Sequence, residues 1–137
     1  MNKNRVIWLN VTGSGNETAA HVQQNTRMTI MFAAFEGRMI FRLYGSAKVT
    51  HLGDADWEKL LPYFELLSGA RKIFDLDVDL VQTSCGMAVP LFDYVDEREA
   101  LNDWAIQKGE GGLKQYWSDK NQQNLDGKPT NIVSESS

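Results

Sequence analysis

Three groups of residues in this 137-residue chain have types and spacings that could do chemistry. The first is Gly13-Ser14-Gly15-Asn16-Glu17-Thr18, a glycine-rich turn ahead of a run of helix formers. Such a turn aims free backbone N–H groups at an anion, and the helix dipole adds to them. It satisfies G-x-G, but Thr18 stands where the dinucleotide fingerprint takes a small Gly or Ala, and no P-loop lysine follows. Glu36 lies at a tolerable spacing for the ribose acid of that fingerprint, yet the segments around it read as a hairpin and not as a second βαβ crossover. A phosphate site and a capped turn without ligand both stay open.

The second group, Asp75-x-Asp77-x-Asp79, begins like a calcium loop, but Leu80 and Gly86 occupy the positions of the sharp-turn Gly and the bidentate Glu. On a strand these carboxylates form one solvated face. The third is Cys85 at a strand end, with His21 and His51 elsewhere and nothing tying either to it, so the thiol reads as inert. One cysteine and two histidines do not make a zinc site. Asn10-Val11-Thr12 and Asn16-Glu17-Thr18 match the glycosylation sequon but lack a secretory signal.

The elements that position these groups follow from periodicity. Arg5 to Thr12 reads as a strand, and Glu17 to Gln24 as a helix with Ser14 and Glu17 as a capping box. Met28–Phe35 and Arg38–Thr50 form a hairpin. Asp54 or Asp56 caps a helix carrying Trp57, Leu60, Leu61 and Phe64, which Pro62 shortens or breaks. Lys72–Gln82 alternates strictly, predicting Phe74, Leu76, Val78 and Leu80 inside and the three aspartates in water. Asp96 and Glu99 open a helix that stops at Gly109, and a second helix carries Leu113, Tyr116 and Trp117. Strands followed by a helical pair predict an α+β, mainly β fold built on an antiparallel sheet or barrel. Residues 1–125 form one domain, and 126–137, in a segment poor in large apolar residues, form a loosely ordered tail.

Hydrophobic residues at 42% against 23% charged supply a core. A net charge of -4 without a basic run argues against nucleic acid as a partner. Leu80–Phe92, interrupted by Gly86 and Pro90, is too short to span a bilayer, and Val6–Leu9 is too short an apolar run for a signal peptide, so a cytoplasmic protein with no membrane partner is expected.

Arg5-Val6-Ile7-Trp8-Leu9, Thr12-Gly13-Ser14-Gly15-Asn16-Glu17-Thr18-Ala19-Ala20-His21, Phe35-Glu36-Gly37, Arg42-Leu43-Tyr44-Gly45 and Val81-Gln82-Thr83-Ser84-Cys85-Gly86 before Val89-Pro90 stand in one order. Together they resemble the pyridoxamine 5'-phosphate oxidase-like family of FMN-binding split barrels, specifically a bacterial branch of it. The resemblance implies a six-stranded antiparallel split barrel with peripheral helices, a homodimer, and FMN held between subunits. Family members begin with a helix and two further strands, so it also implies a barrel shortened at its N-terminus, with a strand edge unpaired.

In the vitamin-synthesising oxidases of that family the turn is followed by Ser-Arg-Lys, whose side chains hold the FMN phosphate, and these positions fall on Asn16, Glu17 and Thr18. Glu17 puts a negative charge where an arginine would meet a dianion. The resemblance therefore leaves Thr12, Gly13, Ser14, Gly15, Asn16 and Thr18 as cofactor-binding residues, with Arg42 as the candidate for the missing positive charge. The basic residues that bind the vitamin near the oxidase C-terminus have no match in Gly127–Ser137. The implied function is a flavin-dependent oxidoreductase of unknown substrate that is not a vitamin B6 oxidase. The alternative is a dimeric flavin binder, or a degenerate apo protein, that turns nothing over. Related barrels also accommodate deazaflavin or haem, and the sequence leaves that choice open.

Overall fold

The structure, a computed structural model, describes residues 4–133. Its frame is one open antiparallel sheet of four strands, β1 (Arg5–Val11), β2 (Arg27–Ala33), β3 (Met39–His51) and β4 (Ala70–Cys85), in the order β1-β4-β3-β2. Among the described residues the sheet has four strands and does not close, where the resemblance implied a six-stranded barrel. The fold is α+β and mostly β, as the strand-rich first two thirds predicted.

β2 and β3 form the expected hairpin, with Ile30 opposite Leu43. β4 is the long central strand, paired with β1 on one side and β3 on the other. Helix α1 (Glu17–Gln24) covers one face, where Ala19 and Val22 pack with Leu43, Ala47, Phe74 and Leu76, and Trp8 stacks on Phe74 with ring centroids 5.0 Å apart. Trp57 and Leu60 of the four-residue helix α2 (Trp57–Leu60) pack with Ile73 of β4, and the helix passes into a 3-10 turn at Leu61–Tyr63 that carries Pro62, as expected.

Two expectations for β4 need correction. Asp75 is not in water: it is 6% exposed and takes both Nε and Nη2 of Arg5 at 2.7 Å, with Lys48 Nζ at 3.5 Å. The cause is that the first half of β4 has no wet face, since Phe74 and Leu76 lie in the α1 cluster and Ile73 in the other. Leu80, conversely, is 54% exposed. The ladder slips between Tyr44, opposite Leu80, and Gly45, opposite Val78, which leaves Asp79 as an extra residue and resets the alternation beyond it.

Helix α3 (Ala100–Lys120) contains the expected helical pair, joined at a kink where Gly109 has φ 64° and ψ 172°. Its Ala105, Leu113 and Trp117 pack with Ile132. Within the segment after α3, Asn121 and Thr130 are fully buried and Thr130 Oγ1 donates to Asn121 O at 2.5 Å, whereas Leu125 is exposed. Residues 134–137 of the expected tail lie outside the described residues. Neither capping box forms as expected. Asn16, not Ser14, precedes α1, the Glu17 carboxylate accepts the Leu125 N–H at 3.2 Å, and Asp96 accepts the Glu97 N–H ahead of α3.

Candidate functional site

The turn at 13–16 is built from its carbonyl side. Asn121 Nδ2 donates to Gly13 O at 3.2 Å and to Ser14 O at 3.5 Å, while Arg71 Nη2 donates to Gly15 O at 2.8 Å. Asn16 Nδ2 donates in turn to Asn121 O at 3.0 Å. Thr12 anchors the turn's entry: its Oγ1 donates to Gly69 O at 2.8 Å and accepts Trp117 Nε1 at 2.8 Å. Thr12 is thus buried framework. Ser14, Gly15 and Thr18 stay exposed at the surface of the turn and the first turn of α1.

Asn16 makes no side-chain cap to α1, so the first N–H groups of this eight-residue helix have no protein cap from that residue. Its Oδ1 is buried without a hydrogen-bond partner. Beside it opens a small pit of about 250 Å³ lined by Asn16, Glu17, Thr18, Arg71, Lys72 and Phe74, with Asn10 and Gly15 at its edge.

The pit's charge comes from two neighbours on β4. Val11 pairs with Ala70 and Asn10 with Lys72, so Arg71 is the extra residue of a β-bulge. Neighbours on a regular strand face opposite ways, whereas here Arg71 and Lys72 line the same pit. Arg71 is 3% exposed, and among the described residues its guanidinium meets neutral acceptors: Asn10 Oδ1 at 3.1 Å, Asn121 Oδ1 at 2.6 Å and Gly15 O. Burial pulls its pKa down to about 10, which leaves it charged at neutral pH.

Lys72 is 1% exposed. Its Nζ lies 5.7 Å from the Phe74 ring centroid and has no carboxylate or hydrogen-bond partner among the described residues. Burial, with Arg71 alongside, brings its pKa down to about 7. Across the ladder from it stands His51, buried, with Nε2 unpartnered and Nδ1 3.8 Å from Asp54. Burial likewise lowers the pKa of that imidazole. Buried cations are costly without an anion, and the carboxylate that lines this pit, Glu17, is drawn to Leu125 N–H.

Arg42 does not belong to this group within the chain. It opposes Gln82, ten residues along β4 from Lys72 and so about 30 Å away at strand spacing. There its Nη1 donates to Ser84 Oγ at 2.8 Å. The cations that line the pit beside the turn are Arg71 and Lys72. The signal was present as two adjacent cations at the head of an apolar strand, but the bulge that turns both to one side is not written in local sequence.

On its other flank the turn borders a shallow pocket of about 480 Å³ formed by Gly13, Ser14, Leu101, Trp104 and Tyr116, with Trp104 and Tyr116 packed edge to face at 5.2 Å. The turn therefore separates a cationic pit from an aromatic shelf. Among the described residues no group of His, Cys, Asp and Glu side chains could hold a metal ion, and no helix is long and apolar enough to cross a membrane.

No family model matches the chain. The chain is similar to the pyridoxamine 5'-phosphate oxidase family protein ustO of Aspergillus flavus, with 32% identity over 148 residues covering 94% of this chain. It spans 58% of that relative's length. Across nearly all of its residues the chain is thus similar to a pyridoxamine 5'-phosphate oxidase family protein, the family that its ordered motifs resemble.

Proposed function

We propose that this chain binds FMN, with the flavin's phosphate at the start of α1, and serves as a flavin-dependent oxidoreductase. The observation that carries the reading is the pair of buried cations, Arg71 and Lys72, beside a helix start without a side-chain cap and, among the described residues, with no carboxylate at bonding distance from either. A phosphate fits that donor set: Lys72 and Arg71 supply charge, while Thr18 and the first-turn N–H groups supply neutral donors. Trp104 and Tyr116, on the other flank of the turn, offer an aromatic surface to a planar ring. A bound flavin would supply the hydride chemistry, and the protein its position and electrostatics. This reading involves no vitamin B6 oxidation.

A homodimer forming the split-barrel arrangement is part of the reading. Met31, Phe32, Phe35, Met39, Phe92 and Val95 are all exposed around one end of the sheet, an apolar surface that a second copy would cover. Light scattering of purified protein should return twice the 15.5 kDa chain mass, and a stable monomer at micromolar concentration would remove the dimer from the reading.

The test of the flavin is direct. Purified protein should release FMN on denaturation or bind it when added. Thr18→Val should weaken that binding by about 1–3 kcal/mol, whereas Glu17→Gln should leave it unchanged or tighten it. Turnover with a reduced nicotinamide then separates an oxidoreductase from a flavin carrier. The carrier remains a second reading because Glu17 lines the pit and opposes an anion.

A further inference from the structure

We propose that Lys72 is the built-in counter-charge of the phosphate site, a lysine that takes up a proton from solvent as a phosphate monoester dianion enters the pit. The inference rests on the phosphate reading above and goes beyond it by making binding proton-coupled. Neither Arg42 nor the residues of the glycine turn have this role.

The position of Lys72 in the sheet is the first argument. It shares the α1 face of β4 with Phe74 and Leu76, both core residues, and an apolar side chain there would extend the same cluster. A lysine instead is buried against Phe74 with no acid to meet it among the described residues. A buried ammonium without a partner is destabilising, so its presence at the wall of a pit points to a partner that arrives from outside. The adjacent Asn16 Oδ1, buried and unpartnered, offers an acceptor to a ligand hydroxyl or water in the same place.

The surrounding charges leave Lys72 as the group that responds. From β4 comes Arg71, positive throughout the neutral range. From β3 comes His51, with Asp54 beyond it near Nδ1. From α1 comes Glu17, held by Leu125 N–H, while β1 contributes neutral Asn10. With its pKa brought down to about 7 by burial, the amine carries a full charge only below neutrality. A dianion beside it favours the ammonium and raises that value again. The exchange is simple: one proton passes from solvent to Nζ, and no covalent bond to the ligand forms. At about 250 Å³ the pit falls below the usual size of a whole-cofactor pocket and suits a phosphate group with its first ester carbons.

Titration calorimetry with inorganic phosphate at about pH 8, where phosphate is a dianion, tests this in two buffers of different ionisation heat. The protein should take up nearly one proton per phosphate bound. Lys72→Met, close in shape, should melt cooperatively, bind phosphate about 10- to 100-fold more weakly and take up no proton. Phosphate binding without proton uptake, no phosphate binding at all, or unchanged affinity in Lys72→Met would overturn the proposal. So would uptake that survives Lys72→Met and vanishes in His51→Gln, which assigns the proton to the imidazole. An FMN titration separates this from the underlying reading. If FMN fails to bind while phosphate behaves as described, the flavin assignment falls and the role of Lys72 stands. If FMN binds equally to wild type and Lys72→Met, the role of Lys72 falls and the flavin assignment stands.

Discussion

Asn121, fully buried at the C-terminal end of α3, accepts Arg71 Nη1 through its Oδ1 at 2.6 Å while its Nδ2 holds the carbonyls of Gly13 and Ser14. One amide therefore ties the β4 bulge to the glycine turn. Asn121→Ala removes an acceptor from a buried guanidinium and a donor from two turn carbonyls. It should destabilise the protein by about 2–4 kcal/mol in urea titration, more than an exposed substitution such as Gln122→Ala.

The Arg5 pair with Asp75 gives a pH-signed expectation. The hydrogen bonds from Arg5 hold the Asp75 carboxyl below the usual carboxylate range. A depressed folded pKa contributes stability above the unfolded value near about 4 and loses it as pH falls through the folded value. Arg5→Ala should thus cost about 1–3 kcal/mol at pH 7, and the difference from wild type should close in acid. Asp77→Asn, on the exposed side, should shift stability by less than about 0.5 kcal/mol.

Lys72 gives a rise of stability with pH in a higher window, through relief of a cost and not through gain of an ion pair. Its folded pKa, near 7, lies below the 10.5 of a free lysine, so between those values the unfolded chain binds more protons. The cost of burying the charge is full below neutral pH and is relieved as pH rises. Stability should increase by about 2 kcal/mol between pH 7 and 9, and denaturation of Lys72→Met over the same range should show that increase abolished.

Gly45 sits where β3 slips against β4, and a Cβ built on it would lie 2.0 Å from Asp77 O. Backbone cannot yield as a flexible side chain does. Gly45→Ala should therefore lose more than about 3 kcal/mol or fail to fold, as read by circular dichroism.

Much of the frame was legible because apolar spacing alone determines it: β1, α1, the hairpin and the break at Pro62 all follow from runs of a few residues. What was not legible depends on partners far along the chain. Asp75 reads as a solvated aspartate until Arg5, 70 residues away, is brought across β1. Glu17 reads as half of a capping box until Leu125, 108 residues on, offers its N–H. The turn was legible as a turn before α1, but the cations beside it were sought at Arg42, since a bulge that brings Arg71 and Lys72 to one side depends on strand pairing and not on local pattern.

The bond between Asn121 and the turn at residues 13–15 also orders events during synthesis. The sheet strands are complete by Cys85, but the turn that precedes α1 acquires its clamp only when residue 121 has left the ribosome. A nascent chain or a fragment ending at Cys85 would carry β1 to β4 without the contacts that shape the turn beside the pit. The long sequence separation of this contact makes it a late and slow one to close. Ligand-dependent protection from proteolysis should accordingly appear only in chains that extend past Thr130, whose buried hydroxyl holds the Asn121 carbonyl.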